Sequence, residues 1–174
     1  MLQDDHHRLR AMEPGDAPFL FDLENRPDEW WMGAQVAPMS QETLIQYIRG
    51  DHDLYRDQQM RMILETESGT RVAAVDLYQF DPRNRRAGVG IAVAHAHRRQ
   101  GHAAAGLRLL LPYAFNHLGL HQLWAEIPAA HEGSLSLFAT AGFEACGRLK
   151  DWILTPEGWS DAVCVQAMKK PANP

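Results

Sequence analysis

RAGVGIAVAHAHRRQGHAAA, residues 86–105, is the stretch whose reading decides the fold. Ala87 to Ala94 is an apolar run rich enough in Val and Ile to form a buried strand. The chain then turns through a basic loop, His97-Arg98-Arg99-Gln100-Gly101-His102-Ala103, and an apolar helix begins behind it. Gly101 and Ala103 leave the backbone uncovered, so a large anion can approach. The loop N–H groups and the helix N-terminus offer it partial positive charge. Arg98 and Arg99 add two fixed cations suited to phosphate oxygens. Strand, small-residue basic loop and helix together read as a pyrophosphate cradle, although an ordinary loop with two solvated arginines would use the same residues.

Working outward, the helix after the loop carries Leu107, Leu110, Leu111, Ala114, Phe115 and Leu118 at spacings of three and four, a buried stripe. Pro112 lies inside it and should kink it by removing the bond to the Arg108 carbonyl. Leu118-Gly119 ends the helix. His121 to Ile127 is a strand that returns parallel to the central one, because a full helix separates them. Ser134 to Ala141 is a short helix stopped by Gly142 in the left-handed conformation. Ala145 to Leu154 and Ala162 to Met168 form a hairpin around Thr155-Pro156-Glu157-Gly158.

Toward the N-terminus, Arg71 to Phe80 is a strand joined to the central one by Asp81-Pro82-Arg83-Asn84. Gln59 to Glu67 alternates Met60, Met62 and Leu64 with polar neighbours, the pattern of a half-buried strand. Ser40 caps a helix with Leu44, Ile45 and Ile48 on one face, ending at Gly50. His7 to Met12 is a first strand, and Asp16 is an N-cap for a helix over Ala17 to Glu24. Trp30 and Trp31 fall in a segment with no clear period. The order β-α-α-β-β-β-α-β-α-β-β describes an α/β (mixed α+β) chain, one domain over residues 1–174.

Composition narrows the class. An apolar content of 45% and a net charge of −5 describe an ordinary globular chain with no general affinity for nucleic acid. No apolar run reaches the roughly 20 residues of a membrane span, and MLQDDHHRLR has no signal-peptide core. Cys146 and Cys164 are too few for a disulfide framework and read as reduced thiols of a cytoplasmic protein. The nine histidines are scattered, and His95-x-His97 has no Cys or carboxylate nearby, so no metal is expected.

Three motifs carry a resemblance. Arg98-x-x-Gly101-x-Ala103 matches the Q/R-x-x-G-x-G/A loop of the GNAT superfamily of N-acetyltransferases. Ser134 to Ala141 followed by Gly142-Phe143 is similar to its S-x-x-L-Y/F-x-x-x-G-F segment. Leu9-Arg10 followed by Asp16 resembles the L-R-x-x-x-x-x-D opening of its spermidine and ribosomal-protein acetyltransferase branch. The three stand in the right order at the right spacing and span about residues 7 to 170.

The resemblance implies the GNAT-type fold: a mixed, mostly antiparallel sheet with a parallel splayed strand pair and helices on both faces. It implies acetyl-CoA as acetyl donor, its pantetheine arm paired with the edge of the central strand at Ile91, Ala92 and Val93. Its pyrophosphate would lie on the loop of Arg98, Arg99, Gln100, Gly101, His102, Ala103 and Ala104. The short helix, through His131, Ser134 and Phe138, would flank the arm on the other side. The reaction is then direct attack of a primary amine on the thioester. An alkylammonium must lose a proton first. Glu126, out of phase with Leu123, Ala125 and Ile127 on its strand, is the candidate base, against the plainer reading of a solvated carboxylate. A strand N–H near Val93 is the candidate oxyanion donor.

The chain departs from the family pattern at three places. Phe138 stands where the branch has a tyrosine acid, His131 where it often has asparagine, and Arg99 where the loop often has glycine. Glu24, Asp28 and Glu29 beside Trp30 and Trp31 are the candidate acceptor site, since carboxylates and aromatic faces suit a cationic amine. Two partly buried tryptophans beside an exposed acidic turn are the plainer reading. A polyamine-like amine and a protein N-terminus are equally compatible acceptors. An acyl-CoA-binding or scaffolding protein without turnover, and an amino-sugar or antibiotic acetyltransferase, are the rivals. The family often dimerises, and the final hairpin could mediate a homodimer.

Overall fold

Residues 2–33 and 36–169 are described in a computed structural model of the chain. One sheet of eight strands runs through it: β1 (Leu2–Gln3), β2 (His7–Ala11), β3 (Met60–Thr66), β4 (Arg71–Asp81), β5 (Arg86–Val93), β6 (Gln122–Pro128), β7 (Glu144–Thr155) and β8 (Gly158–Met168). Their spatial order is β1-β2-β3-β4-β5-β6-β8-β7. Every neighbouring pair is antiparallel except β5 and β6, which are parallel, as the intervening helix requires. The helices are α1 (Ala17–Glu24), α2 (Gln41–Arg49), α3 (Leu54–Asp57), α4 (His102–Pro112) and α5 (Glu132–Thr140). No helix among the described residues is long and apolar enough to cross a membrane.

Strand alternation sorts the core into two layers. Met62, Leu64, Val75, Leu77, Val89, Leu123 and Ala125 face one side, where they pack with Leu107 and Leu110 of α4 and Phe138 of α5. Ile63 and Ala74 face the other, where Leu20 of α1 and Leu44 and Ile48 of α2 cover them. With helices on both sides, β3 is buried from Met62 to Glu65 and is not the half-buried strand its alternation predicts.

The ends of the helices follow local chemistry. Ser40 Oγ accepts the Thr43 N–H at 3.0 Å and starts α2. α5 ends in a Schellman turn: Gly142, at φ +90°, donates to Ala139 O and Phe143 donates to Phe138 O, both at 3.0 Å. The disturbance expected at Pro112 takes the form of a π turn, Tyr113–His117, closed by Leu118 N–H on Tyr113 O at 3.0 Å.

Asp16 departs from expectation. Its side chain does not cap α1; it is fully buried, accepting the Glu13 N–H at 2.7 Å in the capping box of the 3-10 turn Pro14–Asp16 and pairing with Arg10 and Arg71. β8 begins at Gly158, four residues earlier than the hydrophobic pattern suggests, because Thr155 Oγ1 and the Gly158 carbonyl close the hairpin at once. The edge strand β1 and the short helix α3 carried too little pattern to be read from sequence.

Candidate functional site

The site grows from a wedge in the sheet. β5 and β6 pair only through Arg86↔Gln122, Ala87↔Leu123 and Gly88↔Trp124. Beyond that row the strands part, β5 running on to Val93 still paired with β4, and β6 to Pro128 still paired with β8. The β5 edge that passes Ile91, Ala92 and Val93 therefore faces an opening instead of a strand. An extended amide chain could satisfy the backbone groups left there.

The loop closes the wide end of the wedge. A 3-10 turn over His95–His97 leads to Arg99 at φ +60° and Gly101 at φ +84°. A Cβ placed on Gly101 would meet nothing within 4 Å, so the space above it is open. Ala103 and Ala104 follow in the first turn of α4, whose leading N–H groups have no intrahelical acceptor. Bare backbone donors, open space and a helix N-terminus suit a phosphate group. His102 Nδ1 lies 2.9 Å from His7 Nε2, and its ring meets that of His97. Burial, then the neighbouring His7 and His97, lower the pKa of His102. Gln100 is exposed, and its amide donates to Ala96 O at 3.1 Å. Arg98 donates from Nε to Val93 O at 3.1 Å, and both its terminal nitrogens reach Glu29.

Opposite, β6 presents Glu126, exposed and in register with Cys164. Its Oε2 accepts the Trp152 indole N–H at 2.8 Å. Trp152 reaches it because β7 bulges between Leu149 and Ile153, with Asp151 at φ +48°. The bulge is pinned by Asp151 N–H on Asp161 Oδ1 at 3.0 Å and by Arg148 on Asp161 Oδ2 at 2.6 Å. No cation pairs with Glu126 among the described residues, which leaves Oε1 open for a donor.

The candidate carboxylates at the front of the chain, by contrast, are each paired with an arginine, Arg61 being shared with Asp76. Glu24 pairs with Arg61, Asp28 with Arg26, and Glu29 with both Arg26 and Arg98. Arg98, then Arg26, hold Glu29 below the usual carboxylate range despite its partial burial. Trp30 and Trp31 share one 3-10 turn, Trp30–Met32, their indole N–H groups donating to Glu24 O and Asp28 O. Trp31 lines a cavity of about 270 Å³ with Pro128, Glu157 and Trp159, just past Glu126 along β6.

On α5, His131 is the N-cap: its Nδ1 accepts the Ser134 N–H at 3.1 Å, leaving Nε2 for another partner. Phe138 lies in the core, 5% exposed, its ring edge-on to Phe143 at 4.9 Å. A Phe138→Tyr substitution is thus expected to bury an unpaired hydroxyl, at about 1–3 kcal/mol, and to lower the melting temperature without raising turnover. A faster enzyme of unchanged melting temperature would show instead that this edge reaches the wedge.

Sequence reading missed two residues of the wedge. Trp152 comes with a bulge that alternation cannot reveal. Tyr78 lies across Gly88, and its only trace in the sequence is the pair of glycines, Gly88 and Gly90, on a strand otherwise built of Val, Ile and Ala.

Comparison with known proteins agrees with this architecture. Residues 6–144 match the family model described as an acetyltransferase (GNAT) domain. The Bacillus subtilis (strain 168) protein YdaF, named for a proposed ribosomal N-acetyltransferase activity, is 24% identical over 174 residues, covering 96% of this chain and 93% of its own. The spermidine N(1)-acetyltransferase of Escherichia coli K12 is 22% identical over 145 residues, covering 82% and 75%. Among solved structures, the spermidine N-acetyltransferase of Vibrio cholerae in complex with CoA and spermine superposes with a TM-score of 0.82 at 22% identity, over 95% of this chain and 96% of that one.

Proposed function

We propose that this chain, which belongs to the GNAT acetyltransferase family, moves an acetyl group from acetyl-CoA to a primary amine by direct attack within the wedge. The observation that carries the reading is the parting of β5 and β6, with Glu126 exposed on the parted stretch of β6. The freed edge at Ile91, Ala92 and Val93 would hold the pantetheine arm, and the loop from Arg98 to Ala104 the pyrophosphate. His131 would meet the arm through Nε2, with Ser134 beside it. Glu126 would take the proton of the attacking amine, directly or through one water, while Trp152 fixes its other oxygen.

The acceptor approaches past Trp31 and Trp159. Glu24, Asp28 and Glu29 are each engaged by an arginine, which favours an acceptor with one amine, such as a peptide N-terminus, over a polyamine needing several free carboxylates. The last hairpin, with Leu154 exposed, is the surface we assign to a homodimer contact.

An amine panel assayed for CoA release, spanning peptide N-termini, spermidine and amino sugars, tests the reading. Glu126→Gln keeps the shape and removes the basicity. Its turnover should fall on the order of 100-fold, with acetyl-CoA affinity preserved and the acidic limb of the pH–rate profile gone. Wild-type turnover across the pH range would remove Glu126 from the mechanism.

A further inference from the structure

Tyr78 of β4, Gly88 of β5 and Trp124 of β6 form one row across three strands, the last row before the wedge opens. A Cβ on Gly88 would fall 2.4 Å from Tyr78 Cε2 and 2.5 Å from Cζ, so only glycine lets the ring lie flat over the strand. Gly90 keeps the next position on that face clear, where an added Cβ would sit 3.8 Å from Tyr78 Cε1. The Trp124 ring meets the phenol edge-on at 5.2 Å and holds it from the far side. Lying across β5, the ring directs its hydroxyl to the narrow end of the wedge, near Glu126. Burial, then the Glu126 and Asp76 carboxylates, push the phenol up to about 12, the Glu126 backbone N–H opposing them. The group therefore stays protonated.

We propose that the Tyr78 hydroxyl donates to the thioester carbonyl oxygen and holds the oxyanion of the tetrahedral intermediate, an inference that rests on the acetyl-transfer reading. The amine nitrogen bonds to the carbonyl carbon and the C=O pair moves onto oxygen, where the phenol stabilises it. When that pair returns, the C–S bond breaks and its electrons leave on sulfur. The proton lost by nitrogen to Glu126 passes through water to the thiolate. A phenol this weakly acidic does not give its proton up to a thiolate, which is the weaker base. It is well matched, however, to hydrogen-bond an alkoxide-like oxygen. The strand also separates two roles. Gly90 and Val93 lie about 10 Å apart along β5, so an N–H near Val93 serves the pantetheine arm and Tyr78 serves the carbonyl. Phe138, buried against Phe143, offers no hydroxyl to either.

Tyr78→Phe tests this, because it keeps the ring on Gly88 and deletes one oxygen. Turnover should fall on the order of 100-fold, the usual effect of losing one oxyanion donor, with CoA affinity and melting temperature unchanged. A ketone analogue of acetyl-CoA, with methylene in place of sulfur, separates chemistry from structure. Its affinity relative to CoA should drop several-fold in the variant, since only the carbonyl contact is lost. Turnover within threefold of wild type, or an unaltered affinity ratio, would overturn the role of Tyr78 and leave acetyl transfer standing. Failure of the wild-type protein to bind acetyl-CoA or to release CoA with any amine would remove both.

Discussion

An Arg98→Ala, Gly101→Val double variant should lose CoA affinity by 100-fold or more while remaining folded. Two independent effects add. Gly101 sits at φ +84°, where an L-residue costs about 1–2 kcal/mol, and valine brings its branch to the surface on which a pyrophosphate would rest. Nothing lies within 4 Å of a Cβ there, so the protein itself meets no clash; the obstruction falls on the ligand. In a pyrophosphate cradle Arg98 would contribute a charge-assisted donor worth about 1.5–3 kcal/mol. Its removal also leaves Glu29 with Arg26 alone, so its carboxylate is less fully compensated beside the phosphates. Calorimetric titration with CoA, with a melting curve as control, measures the outcome. Undiminished binding by a folded double variant would sink the cradle assignment and send the pyrophosphate elsewhere on the fold.

The turn and the helix start of that loop were legible in the sequence because they are set locally. A Val- and Ile-rich run, a glycine forced to positive φ and two arginines fall within twenty residues, and no distant contact is needed to read them. The same holds for the stop at Gly142 and the cap at Ser40. What could not be read was chemistry that depends on the third dimension. Glu24, Asp28 and Glu29 look like an acidic cluster in one dimension, yet Glu24 is paired with Arg61 from β3 and Glu29 with Arg98 from the loop, partners 37 and 69 residues away. Trp152 reaches Glu126 only because an irregular bulge turns it across β8, and irregular backbone leaves no periodic signal. Tyr78 has no motif at all; its site is made by the absence of side chains on Gly88 and Gly90. The alternation of β3 predicted one buried face and failed for a related reason, since the second helical layer arrives from residues 17–49 at the other end of the chain.

Asp16→Asn should cost about 3–5 kcal/mol of stability, although residue 16 is remote from the wedge. The L-R…D opening that resembles the acetyltransferase branch is here a structural clamp. Asp16, with no exposed surface, accepts from Arg10 through both oxygens at 2.8 and 2.9 Å, from the Glu13 N–H at 2.7 Å, and from Arg71 Nε. It thereby joins β2, the turn into α1 and the start of β4. Asparagine matches the shape but replaces one acceptor by an NH2 donor facing two guanidiniums, and leaves Arg71 without its carboxylate. Breaking a buried pair from one side carries the quoted penalty, which at about 2–4 °C per kcal/mol for a chain of this size lowers the melting temperature by roughly 10 °C. The pH dependence gives a second signature. Burial raises the pKa of Asp16, but Arg10, the Glu13 N–H and Arg71 outweigh it and hold the group at about 2, against 3.8 when unpaired. A depressed folded-state value means the stabilisation is complete above about pH 4 and is lost as pH falls toward 2. Glu65, lowered by Arg10 and Arg8 against its own burial, contributes in the same direction and should keep part of the acid limb in the variant. The expected result is a lower and flatter stability profile between pH 4 and 2, with turnover per folded molecule preserved at low temperature. A melting temperature within 2 °C of wild type, with a parallel acid limb, would show that the clamp does not hold the front of the sheet together.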